Sequence, residues 1–106
     1  MKVWLDDDMV SKERRTPKGW VRALTYDDAI RFLSTGEVTE ISLDHDIADF
    51  THGREMTGAD VARWIERKVY MEGFVPPIVN VHSANSVGRK NMDETIDLIK
   101  RVIRER

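Results

Sequence analysis

The sequence predicts an α/β domain, a small three-layer sandwich with a mostly parallel four-stranded sheet. Three observations carry this expectation. Short β-prone runs recur along the chain, amphipathic helical segments alternate with them after the second run, and the helical segments carry their own start and stop signals. Strand–helix–strand alternation requires crossover connections, which make the strands parallel and lay helices over both faces of the sheet. The 106 residues suffice for one such domain, spanning 1–106, and are too few for two cores.

The elements follow in order. Lys2 to Leu5 (KVWL) is a short β-prone run, ended by Asp6, Asp7 and Asp8, which are poor strand residues. Residues 6–19 lack apolar periodicity and contain Pro17 and Gly19, so a loop is expected. Trp20 to Leu24 reads as a second strand. Thr25 and Asp28 make a capping-box pair, Ala29, Ile30 and Leu33 follow at helical spacing, and Gly36 suits the stop. Glu40 to Leu43 (EISL) is a third strand running into Asp44-His45-Asp46, and the polar segment 47–56 reads as a second loop. Thr57 and Asp60 repeat the capping pattern, Val61, Trp64, Ile65 and Val69 mark one helical face, and Gly73 closes it. Pro76-Pro77 forbids continuation. Ile78 to Val81 (IVNV) is the fourth strand, ending at His82-Ser83-Ala84-Asn85. A last helix is expected to begin near Asn91 with Glu94 as box partner, facing Met92, Ile96, Ile99 and Ile103 to the core, joined by Val102. Trp4 and Trp64 are read as core.

Bulk properties narrow the function. No run of about 18 apolar residues is present, which leaves no candidate membrane span. The start MKVWLDDD does not read as a signal peptide, and cysteine is absent, which excludes disulfides and thiolate chemistry. A cytoplasmic location is expected. The formal charge of −2 argues against binding duplex DNA, which needs a basic face, but is compatible with a nucleotide held in a pocket. Acid gathers at Asp6 to Asp8 and at Asp44, Asp46 and Asp49, and base at Lys12 to Lys18 and Lys100 to Arg106.

Ligands of open α/β sheets bind outside the carboxyl ends of the strands. Three strands end there in polar clusters, whereas the opposite ends, near Met1, Val38 and Pro77, carry almost nothing reactive. Carboxylates gathered in this way repel unless a cation intervenes, and a hard ion such as Mg²⁺ held by one or more carboxylates and several waters is the usual solution. Each acidic cluster alone is equally a solvated turn; their coincidence at one edge argues for a site. His45 and His82 both follow strand ends and could act as acid and base on a phosphodiester, the plainer reading of either being a hydrogen-bonded structural histidine. His52, in a loop, is left aside. Asn85, Gly88, Arg89 and Asn91, in the turn before the last helix, could cradle a phosphate or simply cap that helix. Trp20 could stack on a base, although an aromatic beside a strand is more often core. Lys12, Arg14 and Arg15 could close over an anion or form a solvated basic loop.

The segments KVWLDD, TPKGW, ISLDHD, TGADVARWIE and HSANSVGRKNM together resemble the cyclic-phosphate-processing receiver-like domains, derivatives of the response-regulator receiver fold, over nearly the whole chain. The resemblance implies a truncated receiver-like, flavodoxin-like topology. It matches Asp6 and Asp7 to the acidic pair that binds Mg²⁺, Asp44 to the phospho-acceptor and Ser83 to the hydroxyl residue after the fourth strand. The chain departs from a signalling receiver in several ways. No fifth strand with the usual lysine follows HSAN, a loop replaces the first helix, His45 and His82 are additional, and the HGREM insertion precedes Thr57. The resemblance implies hydrolysis or opening of a cyclic phosphate on a nucleotide or RNA end, as a phosphodiesterase would do. Two alternatives stay open. One is a non-catalytic protein that sequesters a cyclic nucleotide, as small phage counter-defence proteins do. The other is a degenerate receiver acting as a protein-interaction module. Homo-oligomerisation through the last helix is open as well.

Overall fold

A computed structural model of the chain describes residues 1–7 and 16–105. Asp8, Lys12, Arg14, Arg15 and the centre of the loop expected over 6–19 lie outside the described residues. The elements are β1 (Lys2–Leu5), β2 (Trp20–Ala23), α1 (Tyr26–Leu33), β3 (Glu40–Leu43), β4 (Asp46–Asp49), β5 (Met56–Thr57), α2 (Gly58–Glu72), β6 (Ile78–Val81) and α3 (Ser86–Arg104). The fold class is the expected one: an α/β domain on a parallel four-stranded sheet of order β2-β1-β3-β6, the flavodoxin-like order.

Register decides which side chains meet. Val3 lies level with Val21 and Ile41, and Leu5 with Ala23 and Leu43. Because side chains alternate along a strand, this register puts Val3, Leu5, Ala23, Ile41 and Leu43 on one face. There they are fully buried against Val61, Ile65, Val69 and Met92. The steps β2 to β3 and β3 to β6 cross the sheet in the same direction, so right-handed crossovers put α1 and α2 on that same face. α3 packs mainly on α2. The layering is therefore uneven. The expectation of helices on both faces is met, among the described residues, on one; the other face presents Lys2, Trp4, Trp20, Arg22, Ser42 and Asn80.

Local signals account for most boundaries. Thr25 Oγ1 accepts from the Asp28 N–H at 3.1 Å, and the Asp60 carboxylate accepts the Thr57 N–H at 2.8 Å, so both expected helix starts are in place. Gly73 ends α2 in the left-handed region at φ 68°, where a side chain is costly. Four details differ from the expectations. The last helix begins at Ser86, with Asn85 as its cap accepting the Gly88 N–H at 2.9 Å; its first turn has no apolar repeat to mark it. Segment 47–56 is not all loop, since β4 pairs antiparallel with β5 and buries Ile47 and Met56. Asp49, polar in sequence, is buried there because it accepts bonds from the Tyr26 N–H (2.9 Å) and from the Thr51 N–H (3.0 Å) and hydroxyl (2.7 Å). Ile103, expected in the core, is 44% exposed beside Pro76, Pro77 and Ile78, because β6 is an edge strand with nothing described beyond it. Trp64 packs on the core as read, but Trp4 lies partly buried on the face without helices.

Candidate active site

Leu5, Leu43 and Val81 are level across β1, β3 and β6, so the residues that follow them leave the sheet side by side. The ladder runs one residue further, with the Asp44 N–H donating to the Leu5 carbonyl at 3.1 Å and the His82 N–H to the Leu43 carbonyl at 3.0 Å. Alternation then sends Asp6, Asp44 and His82 to the side of the sheet that carries Trp4 and Ser42. One ligand-capable atom from each of the three lies within 4.8 Å of the other two. Asp6 and Asp44 are buried.

The His82 ring is held from three directions. Its Nδ1 is 2.7 Å from Ser42 Oγ and its Nε2 is 3.2 Å from Asp6 Oδ2. The Trp4 indole stacks on it with centroids 3.8 Å apart and planes 7° from parallel. Trp20 meets Trp4 edge-on at 5.6 Å. Arg22 Nη1 donates to the Asp6 carbonyl at 2.9 Å, its Nε to Thr16 Oγ1 at 2.7 Å, bringing a guanidinium against the same strand end.

A second polar set adjoins this one. His45 Nδ1 is 2.8 Å from Asp46 Oδ1, and Asn85 Nδ2 donates to Asp46 Oδ2 at 3.2 Å. Ser83 Oγ accepts the Asn85 N–H at 3.1 Å. Two glycines make the geometry fit. A Cβ on Gly88 would lie 2.3 Å from the His45 ring, and one on Gly58 would lie 2.0 Å from the Asp44 carbonyl oxygen. The Gly58 N–H instead donates to the His45 carbonyl at 3.0 Å, which pins the start of α2 to the end of β3.

Asp6, Asp44 and His82 thus converge, while Asp7 is exposed and outside their group. His45 sits with Asp46 and Asn85 and not in that trio. Asn85 and Ser83 are engaged in the start of α3. Arg89 and Asn91, expected in a turn, lie on the helix because it begins earlier. Arg89 lines a shallow groove along β6 with Asn80, Asp93 and Lys100, and Asn91 is exposed. Trp20 meets Trp4, which in turn stacks on His82. Asp46 stood in the acidic cluster after β3 but had no role of its own; Ser42 and Trp4 were not singled out as site residues. The signal available for Ser42 and Trp4 was alternation, since each stands two positions before an aspartate of the trio. His52, left aside in the sequence reading, pairs with Asp27 at 2.9 Å.

The resemblance implies Mg²⁺ on Asp6 and Asp7, and Asp44, matched to the phospho-acceptor, is the further carboxylate expected at that metal. The donors that converge here are two carboxylates and an imidazole, a set able to hold a divalent ion. In the first turn of α2, burial pushes the Asp60 carboxyl up, but hydrogen bonds from Arg54, the Thr57 N–H and Arg63 outweigh it and hold the group well below the usual carboxylate range. Among the described residues no helix is long and apolar enough to cross a membrane. A family model described as "Cyclic-phosphate processing Receiver domain" matches residues 1–98. No curated protein and no solved structure matches the chain.

Proposed function

The chain belongs to the cyclic-phosphate processing receiver family, and from that membership we propose that it hydrolyses a cyclic phosphate carried by a nucleotide or an RNA end. The observation that supports this most is the convergence of buried Asp6 and Asp44 with His82 at the carboxyl edge of the sheet, beside the His45–Asp46 pair. Hydrolysis adds one water to phosphorus and breaks one ring P–O bond. The released ribose oxygen takes up a proton, and the product is a phosphomonoester.

In this reading the two polar sets divide the work. Asp46 orients His45 through Nδ1, which leaves Nε2 to exchange a proton with the attacking water or the leaving oxygen. Ser42, Asp6 and Trp4 hold His82 against the phosphate. Two carboxylates repel a phosphodiester, so positive charge has to stand beside them, from the Arg22 guanidinium at the same strand end or from a bound cation. Asp6, Asp44 and His82 would hold a divalent cation such as Mg²⁺, which when bound would neutralise phosphate oxygens. Arg89, in the first turn of α3, is the cationic candidate for a further phosphate oxygen, and Trp20 for contact with a base.

The test is ³¹P NMR of the protein with 2′,3′-cyclic, 3′,5′-cyclic and cyclic-dinucleotide phosphates. A monoester resonance that grows with time, and is lost in His82→Ala, supports the proposal. A shifted resonance with no product refutes hydrolysis in favour of sequestration. An unchanged spectrum across the panel refutes both.

A further inference from the structure

The identity of the cation can be taken further, on the reading above that Asp6, Asp44 and His82 form the functional centre. We infer that this centre selects a first-row transition dication, bound through His82 Nε2 with Asp6 and Asp44, over Mg²⁺. An imidazole stands where a second carboxylate of the acidic pair was expected. Asp7 is exposed, and the third place in the group is taken by His82. Mg²⁺ is a hard ion that prefers oxygen and keeps its waters, whereas an imidazole nitrogen suits Fe²⁺, Co²⁺ and Zn²⁺.

The surroundings of the ring match those of a ligating histidine. Such a histidine characteristically donates its other ring N–H to a fixed acceptor, which sets the tautomer. Ser42 Oγ, 2.7 Å from Nδ1 and carried by the central part of β3, is placed to be that acceptor. With the proton on Nδ1, the Nε2 lone pair faces the Asp6 carboxylate at 3.2 Å. A lone pair facing an anion is repelled, and a cation between them turns the repulsion into two bonds. The Trp4 ring, stacked at 3.8 Å, keeps the imidazole from turning away. Without a metal the opposite tautomer is favoured, with the Ser42 hydroxyl donating to Nδ1 and Nε2–H donating to Asp6. The two states differ in the position of one proton, and that difference can be measured.

Co²⁺ is the probe. The metal-free full chain is titrated with Co²⁺ in the visible range, alone and against Mg²⁺. Proton NMR of the Co²⁺ form is then recorded in H₂O and D₂O. The expected result is one hyperfine-shifted imidazole N–H, present in H₂O and absent in D₂O. Ser42→Ala should weaken Co²⁺ binding by roughly tenfold or more and speed exchange of that proton. His82→Asp, which restores an all-oxygen set, should lower the ratio of Co²⁺ to Mg²⁺ affinity by at least about tenfold. Thermal melts of both variants confirm folding. Absence of Co²⁺ binding, bound Co²⁺ with no exchangeable shifted resonance, or an unchanged ratio in folded His82→Asp overturns the inference. Turnover undiminished by a chelator also overturns it and leaves the cyclic-phosphate reading standing. Co²⁺ held as described by a protein that turns over no cyclic phosphate supports the inference and refutes that reading.

Discussion

Replacing Gly58 by alanine tests the joint on which the position of Asp44 depends. A Cβ built there lies 2.0 Å from the Asp44 carbonyl oxygen, 2.9 Å from its carbon and 3.1 Å from Met92 Sδ. The first two atoms are backbone and cannot rotate aside. Cβ contacts below 3.0 Å essentially do not occur, so the start of α2 and the end of β3 must part by about 1 Å. Alanine over glycine within a helix contributes at most about 1 kcal/mol of propensity. Against it stands the bond from the Gly58 N–H to the His45 carbonyl, worth about 1 kcal/mol. Forced repacking around the buried Ala59, Val61, Ala62 and Met92 costs about 1–3 kcal/mol more. The expected net loss is about 1–3 kcal/mol. Urea denaturation followed by tryptophan fluorescence reads it as a lower midpoint with an unchanged slope. A Gly58→Ala protein as stable as the parent would refute the close approach of α2 to Asp44, and with it the placement of the trio.

Gly88→Ala brings its Cβ within 2.3 Å of His45 Cγ, the first atom of the ring, so the whole imidazole must swing away and His45 is driven from Asp46, at a cost of about 1–3 kcal/mol. Turnover of the cyclic phosphate identified by ³¹P NMR should fall about 100-fold or more; full turnover with a displaced ring would exclude His45 from proton transfer. Asp60→Ala removes the reciprocal half of the α2 cap and the partner of Arg54 and Arg63, at a cost of about 1–2 kcal/mol near neutral pH. Because the folded carboxyl titrates below its unfolded value, this stability is present above about pH 4 and fades as pH falls further. The gap in urea midpoint between parent and variant should therefore narrow from pH 5 to pH 2.5, and a constant gap would contradict the ion pairing. Asp49→Ala leaves the Tyr26 and Thr51 N–H groups without their acceptor and should cost about 2 kcal/mol, read as a lower midpoint at pH 7. An unchanged midpoint would mean that solvent already satisfies those groups.

The elements were legible where the signal is local. The β-prone runs KVWL, EISL and IVNV, together with the pairs Thr25/Asp28 and Thr57/Asp60, depend on residues within one strand or one turn, and these are where the structure puts them. The start of α3 was not legible, because a capping asparagine followed by Ser86, Val87 and Gly88 carries no periodic apolar signal. Nor was β4–β5, whose buried Asp49 is satisfied by a residue 23 positions away.

For the site, the sequence by itself determined which chemistry is present and at which strand ends: carboxylates after β1 and β3, an imidazole after β6. Only the tertiary structure decided which of them meet. Asp6 and Asp7 are adjacent in the chain but alternate in direction, so one is buried in the trio and the other faces solvent. His82 joins Asp6 across 76 positions, and Ser42 and Trp4 become its supports, because parallel register brings β1, β3 and β6 level. Residue type is a property of one position, whereas distance across a sheet is set jointly by strand order, register and the direction of each side chain.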